Sequence, residues 1–136
     1  VSAIAPQITL LEKVLLLHEE FTKQPAEMRY LRMSRHLYDL YRLSESQYAE
    51  SALQDLPLFE RIVAHRKHYI RQAGINYGYG RESLSCIPPD HLLEYYRRDY
   101  EKMVQNMIYG KAPSFEEIIH AVHALQAALA FPINSP

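Results

Sequence analysis

Lys13 and Asp39 stand in company that suits phosphate chemistry. Lys13 lies in Leu10-Leu11-Glu12-Lys13-Val14-Leu15-Leu16-Leu17-His18, and Asp39 in Arg35-His36-Leu37-Tyr38-Asp39-Leu40-Tyr41-Arg42. Both stretches space their apolar residues as a helix does. At 3.6 residues per turn, Arg32, Arg35, Asp39 and Arg42 share one side of the second stretch, with His36 beside them. Tyr30, Met33, Leu37, Leu40 and Tyr41 fall on the other side. Arg35 and Asp39 are i,i+4 neighbours, and Asp39 and Arg42 are i,i+3 neighbours. Several guanidinium groups around one carboxylate leave net positive charge, and guanidinium forks match phosphate oxygens. The same pattern also describes a surface helix laced by ordinary ion pairs, each contributing ~0.3–0.5 kcal/mol.

These residues need helices to position them. The first helix is expected over residues 8–22, with Leu10, Leu11, Val14, Leu17, His18 and Phe21 on its apolar face. Lys13 lies on the flank of that face, while Glu12, Glu19 and Glu20 make the rest an exposed acidic side. Pro25 suits the first turn of a second helix reaching about Leu43, because its missing N–H costs nothing there. A short helical piece is expected between Ser44 and Leu53, and Pro57 opens a helix through about Arg71. Asp90 caps a helix running to about Tyr109, with Gly110 as its stop. Ser114 and Glu117 form a capping box for a last helix ending before Pro132. Its inner stripe is Phe115, Ile118, Ile119, Val122, Leu125, Gln126 and Leu129. The expected fold is all-α, a compact bundle of about five helices in a single domain over residues 1–136. Residues 73–89 interrupt the pattern with Gly74, Gly78, Gly80, Tyr77 and Tyr79, and predict a long irregular loop with an extended piece near Leu84–Ile87. Tyr77, Tyr79 and Arg81 there form either a substrate-contacting lid or a crossover packed by its own tyrosines.

Composition bounds the function. A chain of 136 residues with 48% hydrophobic content supports one core. The formal net charge of −1 gives no bulk attraction to nucleic acid or anionic membrane, so any phosphate binding is local. No apolar run approaches the roughly 20 residues that span a bilayer, and no membrane partner is expected. Cys86 is the single cysteine, which excludes an intrachain disulfide and fits a cytoplasmic location. Glu116, His120 and His123 share a helix flank, as do His65 and His68. Zinc takes three or four ligands converging from more than one segment, so no metal site is expected. Arg97, Arg98, Asp99, Glu101 and Lys102 read as a solvated face, with Tyr96, Tyr100, Met103 and Met107 turned inward. The eleven tyrosines and absent tryptophan have no functional account at this level.

Thr9-Leu10-Leu11-Glu12-Lys13, Leu17-His18-Glu19-Glu20 and Arg32-Met33-Ser34-Arg35-His36-Leu37-Tyr38-Asp39-Leu40 together resemble the C-terminal part of the AbiEii/AbiGii-type toxin family. Members of that family look like nucleotidyltransferases of the DNA polymerase β type. The likeness continues through Arg98-Asp99-Tyr100, Met107-Ile108-Tyr109-Gly110 and Pro113-Ser114-Phe115-Glu116-Glu117-Ile118, and so covers nearly the whole chain. One departure is that Leu10 and Leu11 stand where family members often place an aromatic residue. The resemblance implies that Lys13 helps hold a nucleoside triphosphate and that Asp39 is required at the active site. Arg32, Arg35, His36 and Arg42 are the accompanying phosphate-binding candidates. It also implies Mg2+ and a nucleoside triphosphate in the full-length protein, an RNA acceptor such as tRNA, and an antitoxin protein as partner. The family's metal-binding half carries a Gly-Ser turn and an Asp-x-Asp pair, and this sequence contains neither. The expectation is therefore the helical C-terminal half of a longer enzyme, inactive without an N-terminal catalytic domain and holding no cofactor by its own ligands. Two other functions remain open: a non-catalytic helical protein-interaction module, and a helical RNA-binding domain using Arg32, Arg35 and Arg42.

Overall fold

Leu10, Leu11, Val14, Leu15 and Leu17 crowd one short stretch from several sides, and a helix apolar nearly all round belongs in a core. The computed structural model describes residues 5–69, 81–107 and 112–130. It places that stretch in α1 (Pro6–Phe21), where all five side chains are 0–1% exposed. Five more helices follow: α2 (Ser34–Ser44), α3 (Ala49–Gln54), α4 (Leu56–Tyr69), α5 (Asp90–Met107) and α6 (Phe115–Ala130). The fold is all-α, and among the described residues there is no strand. Helix α1 packs against α2, α3 and α4, while α2 also packs against α5 and α6.

Local chemistry explains most boundaries. The capping box at α6 forms as its spacing requires. The Ser114 N–H donates to Glu117 Oε1 at 2.7 Å, and the Glu117 N–H donates to Ser114 Oγ at 3.0 Å. Phe115, Ile118, Val122, Leu125 and Leu129 of α6 are buried. Helix α5 starts at Asp90 itself, and it turns Tyr96 and Tyr100 inward. The expected stop at Gly110 lies outside the described residues, as do Tyr77 and Tyr79.

The second helix departs from the expectation. It does not run from Pro25. A 3₁₀ turn occupies Pro25–Glu27, and α2 begins only at Ser34. Charge burial at the end of α1 holds the intervening chain. Glu20, 2% exposed rather than solvated, accepts from the Arg29 N–H at 2.6 Å, the Arg29 guanidinium at 2.9 and 3.1 Å, and Lys23 Nζ at 3.0 Å. Arg32 then adopts a left-handed backbone with φ of 60°, which no α-helix accommodates. Asp99 of α5 completes the interruption. It accepts from the Arg32 N–H at 2.8 Å, the Ser34 N–H at 3.0 Å and the Ser34 hydroxyl at 2.5 Å. A carboxylate from another helix thus caps α2, and apolar periodicity carries no trace of a partner 65 residues away.

Two further charges expected at the surface are structural. Glu19 is buried and meets Arg66 of α4 through two bonds of 2.6 and 2.7 Å. Arg81 is 6% exposed, so it is no lid. Its Nε donates to the Leu129 carbonyl at 2.9 Å, its Nη2 donates to the Leu53 carbonyl, and its plane lies 5.5 Å from the Phe59 ring centre. Residues 84–87 are irregular rather than extended in a ladder. Side chains hold them: the Ser85 N–H donates to His18 Nδ1 at 3.1 Å, and the Cys86 N–H to Gln126 Oε1 at 2.6 Å.

Urea unfolding tests the cap. Asp99→Ala is expected to cost ~1–2 kcal/mol, the range for loss of a helix N-cap. Arg32→Gly is expected to add up to ~1 kcal/mol, because glycine takes a left-handed backbone without strain. A wild-type midpoint for Asp99→Ala would remove Asp99 as the element that starts α2.

Candidate functional site

Packing of α1 on α2 brings Lys13 to His36 and Asp39. Leu37 and Leu40 of α2 are 0–1% exposed, and His36 and Asp39 sit on the α1 side of that apolar stripe. Lys13 Nζ is 2.9 Å from Asp39 Oδ2 and 3.2 Å from His36 Nδ1. The Lys13 side chain is 23% exposed and that of Asp39 43%, so the pair sits at the edge of the helix interface.

The protonation pattern follows from that geometry. An ammonium has N–H donors and no acceptor, so Lys13 donates and His36 Nδ1 accepts. His36 is then the neutral tautomer with its proton on Nε2. Burial, followed by the Lys13 charge, holds the His36 pKa below its ordinary 6.5; Arg35 and Arg29 act in the same sense and Asp39 opposes them. An ammonium carries three N–H groups. With one on His36 and the Asp39 carboxylate alongside, Lys13 retains donor capacity toward solvent. A phosphate oxygen is the complementary acceptor.

The arginines are arranged differently from the helical wheel. Arg32 precedes α2 and is not on its face. Asp39 is the partner of Lys13 rather than the centre of an arginine cluster. The Arg42 guanidinium donates to the Tyr38 hydroxyl at 3.1 Å and lies 5.9 Å from the centre of that ring. Arg35 is exposed and lines a separate groove on the α5 side of α2, with Arg32 and Lys102. The sequence therefore proposes six residues, of which the structure unites Lys13, His36 and Asp39. It misses Asp99, which reads as one charge in a solvated run and whose capping role depends on tertiary placement.

Among the described residues no three His, Cys, Asp or Glu side chains converge as a metal ion requires. Glu116, one of the histidine-flanking candidates, instead pairs with Arg97. The described residues thus do not form a magnesium site. No helix among the described residues is long and apolar enough to cross a membrane.

The described helices form an all-α unit that presents a lysine–aspartate pair across two packed helices. A family model described as Nucleotidyl transferase AbiEii toxin, Type IV TA system, matches residues 1–129. The chain belongs to this family of nucleotidyl transferase toxins. No curated protein and no solved structure gives a significant match to it.

Nuclear magnetic resonance tests the protonation assignment. His36 is expected to carry its proton on Nε2 and to titrate below 6.5, moving upward when Lys13 is replaced by Met. The depressed folded-state pKa contributes stability that is present above the unfolded value and lost as pH falls through the folded one. A His36 midpoint above the ordinary value would contradict the Lys13-to-His36 hydrogen bond.

Proposed function

We propose that this chain is the helical nucleotide-binding half of a nucleotidyl transferase toxin, and that Lys13 contacts the phosphates of a nucleoside triphosphate. The observation that carries this reading is the 2.9 Å Lys13–Asp39 pair, set across α1 and α2 with the Lys13 side chain 23% exposed and one N–H beyond those that meet Asp39 and His36. Membership of the transferase family supplies the reaction class.

During nucleotidyl transfer an acceptor oxygen attacks a phosphoryl group, and negative charge accumulates on the departing pyrophosphate. A fixed cation beside that charge lowers the barrier without reorganising in the event. A lysine alone is poorly suited to being fixed, since its flexible stem carries ~2 kcal/mol of rotamer entropy. Asp39 and His36 supply the restraint from one side. Asp39 holds the ammonium by charge. His36, kept neutral, accepts a proton-shared bond without adding a competing cation. Arg32 and Arg35 line the separate groove on the other side of α2 and Arg42 is held by Tyr38, so none of the three is counted in this phosphate contact.

The magnesium such a transfer uses would need an Asp-x-Asp pair, which this sequence lacks. We assign it to a separate catalytic unit, with an RNA such as tRNA as acceptor and an antitoxin as regulator.

Growth arrest on induction of the complete toxin is the decisive measurement. Lys13→Ala and Asp39→Ala are each expected to abolish arrest through a ~10²–10³-fold loss of rate, as for other transition-state charge contacts. Their stability should change by no more than ~1 kcal/mol, because neither truncation opens a core cavity. Variants that melt normally and still arrest growth would mark the pair as ordinary surface charge. The 136-residue chain by itself is expected to transfer no nucleotide, and metal-dependent transfer by it would overturn the division of labour.

A further inference from the structure

On the α5 side of α2 a groove of about 510 Å³ opens between the start of α2 and the middle of α5. Arg32, Arg35 and Lys102 line it, and all three are exposed. Among the described residues none of them has an acidic side chain within ion-pairing distance. The groove's carboxylate, Asp99, is already engaged by two main-chain N–H groups and the Ser34 hydroxyl. Several cations elsewhere are paired: Arg29 with Glu20, Arg66 with Glu19, Arg97 with Glu94 and Glu116, and Arg98 with Glu94. In a chain of net charge −1, three neighbouring cations left without acids create a local positive field at this groove.

The groove and its border also offer surface that a free anion would not use. Leu31, which lines the groove, is 70% exposed, and Tyr95, outside the lining but one turn before Asp99 on α5, is 46% exposed. Tyr95 stacks on Tyr30 with ring centres 4.7 Å apart. Tyr95, Asp99 and Lys102 recur at i, i+4 and i+7, so they run along one wall of α5 for about 10 Å at 1.5 Å per residue. Cations beside an exposed ring and an apolar rim match a ligand that alternates phosphates with flat bases. An acidic peptide would satisfy the cations and leave the ring unused.

We infer that the α2–α5 groove binds a single nucleic-acid strand, through its phosphodiesters at Arg32, Arg35 and Lys102 and through a base at Tyr95. The inference rests on the transferase reading above, in which this strand is the acceptor. Helix α2 then separates the two substrates, with Lys13, His36 and Asp39 on one flank and the acceptor groove on the other.

Fluorescence anisotropy of a short labelled single-stranded RNA with the 136-residue chain tests it, with a DNA strand of the same sequence and a polyglutamate peptide as comparison arms. The wild type is expected to bind RNA. Replacing Arg32, Arg35 and Lys102 together by Ala should weaken binding at least ~10-fold and flatten the slope of log affinity against log salt by about 2, given about 0.7 per phosphate contact on a single strand. Tyr95→Ala should weaken binding ~5-fold or more and leave the slope in place. Arg61→Ala, an exposed charge on α4, should alter neither. Lys102→Glu alone should act in the same direction as the triple variant, and thermal melting checks that each variant is folded. The DNA arm reports whether the sugar is read: tighter RNA binding assigns an RNA acceptor, and equal binding assigns a groove that reads phosphate and base alone. Absence of RNA binding, wild-type affinity and slope in the triple variant, or polyglutamate binding as tight as RNA would each overturn the inference. The assay contains no nucleoside triphosphate and no transfer step. Its failure is therefore distinct from a failure of the Lys13–Asp39 reading, which growth arrest reports.

Discussion

The carboxylate of Asp99 sets the rotation of α2. A helix advances 100° per residue, so the residue at which it starts decides which side chains meet which neighbour. By accepting from the Arg32 and Ser34 N–H groups and the Ser34 hydroxyl, Asp99 fixes that start. Leu37 and Leu40 then enter the core, His36 and Asp39 meet Lys13, and Arg35 turns to the groove. The left-handed Arg32 backbone costs on the order of 1–3 kcal/mol. Three charge-assisted hydrogen bonds to Asp99 offset it.

Acidic residues at the end of α1 perform a related task. Glu19 and Glu20 follow one another on a helix and so point in different directions. Glu19 reaches α4 through Arg66, and Glu20 reaches the incoming chain through Arg29. Buried ion pairs contribute little net stability, but breaking one leaves a stranded charge. Their effect is to make one arrangement of the surrounding segments far better than its competitors. The tyrosines work alongside them. Tyr96 and Tyr100 bury their rings and donate their hydroxyls to the carbonyls of Arg29 at 2.7 Å and Pro113 at 2.6 Å. Burial pushes the Tyr100 phenol up to about 12 and raises that of Tyr96 as well, so both remain donors. Phenylalanine would fill the same space and leave those irregular segments untied, which accounts for part of the bias toward tyrosine.

The legible parts of the sequence were those written in local spacing. The capping box of Ser114 and Glu117, the apolar stripe of α6, and the placement of Lys13 on the flank of α1 needed only helical periodicity. The expectation that Lys13 and Asp39 act together rested on the family resemblance as well as on helical phase. What escaped were contacts between residues far apart in the chain. Pro25 offers a valid helix start, and nothing nearby forbids it; the interruption at residues 28–33 is imposed by Glu20 and Asp99. Asp39 has arginines at helical spacing on both sides, yet the lysine of another helix claims it. Arg81 sits among glycines and tyrosines that suggest a surface loop, while its actual neighbours come from α3, α4 and α6.

Arg81 also has a bearing on the order in which the molecule is built. Its guanidinium bonds the end of α3, 28 residues earlier, and the end of α6, 48 residues later. Burial lowers its pKa, but an arginine keeps its proton. Chains emerge from the ribosome N-terminus first. Until Leu129 is in place, this cation lacks one of its two described acceptors and stays hydrated. Docking of α6 is therefore coupled to the burial of this cation against α3.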